Sequence, residues 1–195
     1  MTPADSGQPA TRGLRSQLRA ARRSIQGSDR TAAEAQIVRA ISQLSVFRRA
    51  QKIASYHAFD GEPNLATLYD KQPKGRYFVP VITSRGMRFA VDHSSPQARK
   101  NQFGIREPLR PSYFPSIDLD LVLTPLVGFD NQGARIGMGR AYYDRCFSYL
   151  LGRQTWRRPR LLGVAFECQR VSAITTNPWD VPLWGIATES GVRIF

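Results

Sequence analysis

The sequence predicts an α/β protein whose sheet is largely parallel at its centre. Three observations carry this expectation. Short runs of β-forming residues alternate along the chain with stretches of helical periodicity, and strands interleaved with helices pack as a layered α/β sheet. The runs Leu119–Leu123 and Leu161–Phe166 are dominated by apolar residues, as suits strands buried on both faces. The length of 195 residues suits one domain with a short N-terminal extension, large enough to bury a core without disulfides or metals.

Taken in order, Met1–Ala10 lacks the apolar centre of a signal peptide and reads as a flexible extension, leaving 11–195 as a single domain. Leu14, Leu18, Ala21 and Ile25 recur at helical spacing on one face of a first helix. Arg12, Arg15, Arg19, Arg22 and Arg23 fill much of the remainder, a solvated basic face from which one or two side chains reach an anion site. Gly27 and Ser28 close this helix, and Ala33, Ile37, Ile41 and Leu44 mark the apolar side of a second. Lys52–Phe59 reads as a strand ending in a turn at Asp60 and Gly61. A short helix follows from Asn64 to Tyr69, with Asn64 as its cap. Arg76–Thr83 is a strand that Pro80 bends or places near an edge. Ser84, Arg85 and Gly86 turn it back onto Met87–Val91 as a hairpin. Ser94–Ser116 carries Pro96, Pro108, Pro111 and Pro115 and reads as a long loop of the functional kind. After Leu119–Leu123 come a glycine-rich stretch and a helix over Arg140–Leu151. The basic connection Arg153–Arg160, the strand Leu161–Phe166, and a closing hairpin of Trp184–Thr188 and Val192–Phe195 complete the chain.

The charge narrows the partners. Twenty-eight basic residues face fifteen acidic ones, a net +13, which favours nucleotides, polyanionic small molecules or nucleic acid. Only Lys52, Lys71, Lys74 and Lys100 are lysines. No nucleic-acid-binding motif accompanies the charge, so nucleic acid is the minor reading. No apolar run approaches the roughly 20 residues of a membrane span. Cys146 and Cys168 have neither metal nor redox spacing and read as buried reduced thiols, in keeping with a cytoplasmic protein.

The chemistry concentrates in one stretch. Asp120–Asp130 leads through Asn131, Gly133, Arg135, Gly137, Gly139 and Arg140 into Tyr142, Tyr143, Asp144 and Arg145: strand, turn, glycine loop, helix. Ligands of open α/β sheets bind beyond the carboxyl ends of strands. Glycines let backbone N–H groups approach phosphate oxygens, and a following helix N-terminus adds partial positive charge. Arg135 and Arg140 offer forked donors to the same oxygens. Asp144 is placed to hold a magnesium ion bridging phosphates. The spacing matches neither the P-loop nor the dinucleotide fingerprint, and a plain glycine turn capped by Asp144 fits it equally.

The string Val127-Gly-Phe-Asp-Asn-Gln-Gly-Ala-Arg-Ile-Gly-Met-Gly-Arg-Ala-Tyr-Tyr-Asp-Arg145 resembles the signature of the 5-formyltetrahydrofolate cyclo-ligase (methenyltetrahydrofolate synthetase) family. Tyr56-His-Ala-Phe-Asp-Gly-Glu62, Phe103-Gly-Ile-Arg-Glu-Pro108, Leu162-Gly-Val-Ala-Phe-Glu-Cys-Gln169 and Trp179-Asp-Val-Pro182 are similar to further family segments, in the family's order. The resemblance implies a three-layer, Rossmann-like arrangement. It implies a magnesium- and ATP-dependent ligase acting on a reduced folate, with or without a polyglutamate tail, expected as a monomer. The γ-phosphoryl group goes to the formyl oxygen, N10 attacks the activated formyl carbon, and phosphate leaves as 5,10-methenyltetrahydrofolate closes. Arg15, Arg135, Ile136, Gly137, Met138, Gly139, Arg140, Ala141, Tyr142 and Tyr143 would bind ATP, with Arg135, Arg140 and Tyr143 catalytic. His57 and Glu62 would bind the folate, and Asp144 and Asp180 the metal. Asp180 also reads as a turn cap, and His57 as a packed strand residue. The chain departs from the family pattern at Thr11, where the family has Lys, at Arg140, where it has a small residue or Lys, and at Ala141, where it has Gly. These departures leave a catalytically altered relative as the alternative.

Overall fold

The computed structural model describes residues 9–92, 98–101, 104–153 and 158–195. Helices α1 (Pro9–Ser24), α2 (Gly27–Gln43) and α3 (Ser45–Arg49) lead into strand β1 (Lys52–Ala54) and a 3-10 turn over Ala66–Lys71. Then come β2 (Arg76–Thr83), β3 (Gly86–Val91), β4 (Ala98–Lys100), β5 (Arg106–Pro108) and β6 (Tyr113–Phe114). Strands β7 (Leu121–Pro125), β8 (Gly128–Phe129) and β9 (Arg135–Ile136) precede α4 (Tyr142–Phe147), and β10 (Arg160–Val164), β11 (Gly185–Thr188) and β12 (Gly191–Ile194) close the chain. Helix α1 begins at Pro9, inside the expected extension, the rest of which lies outside the described residues.

Among the described residues, eight strands form one sheet in the order β12-β11-β10-β7-β1-β2-β3-β6. The five from β11 to β2 run parallel, and β12, β3 and β6 join antiparallel at the margins. Strand alternation sends successive side chains to opposite faces. Ile53, Leu121, Leu123, Leu162 and Val164 meet Ile37 and Ile41 of α2 and Phe47 of α3. Ala54, Val122 and Leu161 point the other way and meet Phe147 of α4. Helices therefore cover both faces, which explains why the central strands are apolar throughout. The sheet is the expected three-layer α/β arrangement.

Several elements differ from expectation for local reasons. Strand β1 stops at Ala54 rather than Phe59; Ser55 keeps one rung, its N–H donating to the Phe78 carbonyl at 2.8 Å, and the chain then leaves for a turn. Pro80 lies inside the sheet rather than at its edge. It points to the β1 side beyond Phe78, where β1 has already ended, so its missing N–H removes no rung. The proline-rich stretch contains a small β4–β5 hairpin and the short edge strand β6, with 93–97, 102 and 103 outside the described residues. Helix α4 begins at Tyr142 and gives way to a 3-10 turn at Ser148–Leu150, shorter than the expected Arg140–Leu151. Cys168 is exposed and Cys146 half-buried, not both buried. Among the described residues no helix is long and apolar enough to cross a membrane.

The basic face of α1 is also not uniformly solvated. Arg22 is fully buried. Its Nε donates to the Asp60 carbonyl at 2.9 Å, its Nη2 to Asp60 Oδ2 at 2.9 Å, and its Nη1 to the Leu126 carbonyl at 3.0 Å. Arg19 and Arg23 reach the same Asp60 carboxylate at 2.6 and 3.3 Å. Asp60 holds a left-handed φ of 51°, a conformation Asp tolerates better than most residues. Replacing Arg22 by Met retains bulk but strands a buried carboxylate and a buried carbonyl. Arg22→Met is expected to destabilise the fold by roughly 3 kcal/mol, read from urea unfolding. A loss of less than about 1 kcal/mol would show that Arg19 and Arg23 suffice to hold the turn.

Candidate functional site

Strand β7 delivers the chain to the carboxyl edge of the sheet. There Gln169 Nε2 donates to the Leu126 and Val127 carbonyls, both at 2.9 Å, while Arg22 holds Leu126 from the other side. Strands β8 and β9 then pair as a short hairpin. The buried Asp130 shapes its turn: Oδ1 accepts from the Gln132 and Ala134 N–H groups at 2.9 and 3.0 Å, and Oδ2 from Ile174 N–H at 3.1 Å. Gly133 supplies a φ of 87° at this turn.

Beyond β9 the loop opens. Gly137, Met138, Gly139, Arg140 and Ala141 are all exposed. Arg15 of α1 lies against them; its Nε donates to the Gly137 carbonyl at 3.1 Å, and its guanidinium sits beside Gly139. The first helix and the glycine loop, predicted to share a ligand, thus adjoin. Arg140 makes no hydrogen bond or ion pair with a described residue. Ala141 holds φ 46° and ψ 31°, the left-handed conformation that favours glycine. An L-residue there is strained by about 1 kcal/mol or more. Helix α4 starts immediately after it.

Arg135 is placed differently from Arg140. Its side chain is 7% exposed, with Nη1 donating to the Val181 carbonyl and Nη2 to Asp144 Oδ1. Asp144 Oδ1 also accepts from Val181 N–H at 3.2 Å, and Oδ2 bonds to no described residue. These contacts lock the start of α4 to the Trp179–Pro182 segment. Asp180, next to Val181, turns its carboxylate to the Asn177 N–H and Nδ2 at 2.7 and 3.3 Å, the arrangement of a turn cap. Among the described residues no three His, Cys, Asp or Glu side chains cluster as a metal site.

Glu62 and the Tyr143 hydroxyl are both buried. Glu62 is buried, and burial pushes its carboxyl up to about 7, against the lowering effects of Arg22 and the Phe59 N–H. Its Oε2 accepts from that N–H at 3.1 Å. The Tyr143 hydroxyl is buried with no partner among the described residues. Burial first, then the nearby Glu62, pushes its ionisation up, with Arg135 opposing. Hydrogen bonds join Arg135, Asp144 and Val181, and the charges of Glu62 and Arg135 act in opposite directions on the buried Tyr143 hydroxyl. His57 belongs to another group: its Nε2 lies 3.9 Å from Asp92 Oδ1, whose Oδ2 accepts from the Tyr69 hydroxyl at 2.8 Å. Ile136 is buried against Leu18, and Tyr142 is half-buried with Arg145 over its ring at 5.4 Å.

Sequence reasoning did not single out Arg22, Gln169 or Arg30, whose Nη2 donates to the Glu62 carbonyl at 2.7 Å. Each acts through backbone carbonyls distant in sequence, which leaves no local motif. Only the position of Arg22 beside the apolar Leu18 and Ala21–Ile25 stripe hints at its burial.

The family model for the 5-formyltetrahydrofolate cyclo-ligase family matches residues 8–189. The 5-formyltetrahydrofolate cyclo-ligase of Haemophilus influenzae is 33% identical over 183 residues, covering 89% of this chain and 94% of that one. The Escherichia coli K12 protein of the same name is 31% identical over 152 residues, covering 73% and 80%. The structure of Aquifex aeolicus 5,10-methenyltetrahydrofolate synthetase superposes with a TM-score of 0.80 at 26% identity, over 94% of this chain and 91% of that one. On this match over most of its length, the chain belongs to the 5-formyltetrahydrofolate cyclo-ligase family.

Proposed function

We propose that this chain converts 5-formyltetrahydrofolate to 5,10-methenyltetrahydrofolate at the expense of ATP, releasing ADP and phosphate, as a cytoplasmic monomer. The observation that carries the reading is the Arg135–Asp144 contact beside an exposed glycine loop at the carboxyl edge of the sheet, with Arg15 of α1 against that loop. The loop supplies N–H donors for phosphates, and the exposed Arg140, with Arg15 beside Gly137, supplies cations. Arg135 serves the reaction through Asp144, which it holds together with the Val181 N–H. The γ-phosphoryl group moves to the formyl oxygen, N10 then bonds to the formyl carbon, and the C–O bond to phosphate breaks. Such a transfer asks the protein for positioning and charge neutralisation.

Asp144 Oδ2, uncommitted among the described residues, would offer one carboxylate contact to magnesium. The absence of a carboxylate cluster among the described residues fits that arrangement better than an all-protein cage. Magnesium so held supplies neutralisation of the charge on the phosphates. Asp180 would join only by releasing Asn177. Glu62 and the Tyr143 hydroxyl offer a buried polar pair to the pterin and its formyl group, with the proton on Glu62 available near neutral pH. His57, on the Asp92 side, contacts a more peripheral part of the folate in this reading.

The chain is expected to form methenyltetrahydrofolate from 5-formyltetrahydrofolate and magnesium ATP, followed by absorbance; absence of product would sink the proposal. In Asp144→Asn the amide oxygen still accepts from Arg135 and Val181, so circular dichroism and melting stay unchanged while turnover drops roughly 100-fold or more. Normal turnover would remove Asp144 from the metal role. Glu62 sets a pH window. Its folded value of about 7 exceeds the ordinary 4.5, so the stability it contributes is complete below about 4.5 and is lost as pH rises through 7. Relative to Glu62→Gln, the unmutated protein should lose on the order of 2–3 kcal/mol across that window. Parallel stability curves for the two would show that Glu62 ionises as an exposed glutamate does.

A further inference from the structure

A basic groove lies at the opposite edge of the sheet. The end of α3 and the amino ends of β1 and β2 enclose a groove of about 400 Å³. Arg48, Arg49, Lys52, Lys74 and Arg76 line it, and no acidic side chain does. None of the five forms an ion pair with a described residue. The Asp120 carboxylate is engaged by the Gln51 and Lys52 N–H groups at 2.9 and 3.0 Å and by Arg158 at 3.5 Å. Arg48, Arg49, Lys74 and Arg76 are exposed, and Lys52 is half-buried with its ammonium 5.3 Å from the Phe114 ring centre.

The groove has a built floor. Gln72 Nε2 donates to the Arg48 carbonyl at 2.7 Å and reaches the Phe47 and Ala50 carbonyls at 3.5 and 3.4 Å. This ties the turn before β2 to the end of α3 and removes three carbonyl oxygens that would otherwise repel an anion. Gathering five like charges without a counter-ion costs free energy that a bound anion would recover. Because β1, β2 and β7 run parallel, their amino ends lie a strand length, about 16 Å for five residues, from the carboxyl edge that carries the glycine loop.

We infer that this groove binds a compact chain of phosphate groups, independently of the nucleotide bound at the glycine loop. Its size falls in the range of small-ligand sites. Forked guanidinium groups on three of its five cations match phosphate oxygens. No aromatic side chain lines it, as single-stranded nucleic acid would need for base stacking. Nor does a large apolar side chain line it, as insertion at a membrane surface would need.

The test titrates inorganic tripolyphosphate, and separately a nucleoside triphosphate and an oligouridylate, into the full chain by calorimetry. The double variant Arg48→Ala, Lys74→Ala should bind tripolyphosphate roughly tenfold more weakly or worse. Its turnover, KM for ATP and melting temperature should match those of the unmutated chain. If the nucleoside triphosphate shows a second event lost in the same variant, the site accepts phosphate chains carrying a nucleoside; if only tripolyphosphate does, it takes free polyphosphate. Tripolyphosphate binding that survives the double variant but disappears in Arg140→Ala would assign the anion to the glycine loop and overturn the inference. So would no tripolyphosphate binding at all, or binding of oligouridylate alone.

Discussion

The buried guanidinium of Arg22 is the interaction on which the site depends. Three backbone or carboxylate oxygens from two distant segments converge on it: the Asp60 carbonyl, Asp60 Oδ2 and the Leu126 carbonyl. The first two fix the turn that delivers Glu62 to the interior. The third fixes the chain as it leaves β7 toward the glycine loop. An arginine suits this position because its planar fork serves three acceptors at once while remaining charged. A lysine would offer a point charge and leave at least one carbonyl buried without a donor. The removal of water that makes Arg22 effective also isolates Glu62, so one packing decision sets both the geometry and the electrostatics of the substrate side.

The same contact explains why part of the structure was legible in the sequence and part was not. Strand β2 matched its expected bounds because a β-branched and aromatic run, a turn and a hairpin are all local signals. The short helix expected over Asn64–Tyr69 lies two residues later, as a 3-10 turn at Ala66–Lys71 with Leu65 at its start, and Asn64 Oδ1 instead makes a local turn by accepting from Ala66 N–H at 3.0 Å. Arg22 carries no such signal. It sits among arginines that keep part of their surface in water, and only its three contacts to Asp60 and Leu126 distinguish it. Pro80 misled for a related reason: whether a strand proline sits at an edge depends on how far the neighbouring strand runs, and β1 ends three residues in.

The glycine loop was legible by resemblance, yet its local chemistry sharpens what the resemblance meant. Arg135 and Arg140 read alike in sequence, as two forks in a phosphate loop. In the fold they divide. Arg135 is enclosed between Val181 and Asp144, while Arg140 stands in the open beside Arg15 and Gly139. Ala141 holds a left-handed backbone despite carrying a Cβ. The helix that follows has only six residues, so its start must be fixed from outside. The Arg135–Asp144–Val181 lock does this, and it can hold Ala141 in its strained conformation because the strain, about 1 kcal/mol, is smaller than the cost of breaking a largely enclosed ion pair.

That lock also bears on the proposed reaction. The Asp144 charge is balanced by Arg135 through Oδ1 alone, leaving Oδ2 with spare negative potential. In the proposed reading a cation on Oδ2 would not need to displace Arg135, because the two would approach different oxygens. Its charge would be opposed at close range by the guanidinium, so the protein alone would hold it weakly, and phosphate oxygens would supply the missing negative charge. Metal and nucleotide would then bind together more strongly than either alone, and a loop with few carboxylates would suit their complex rather than the bare ion.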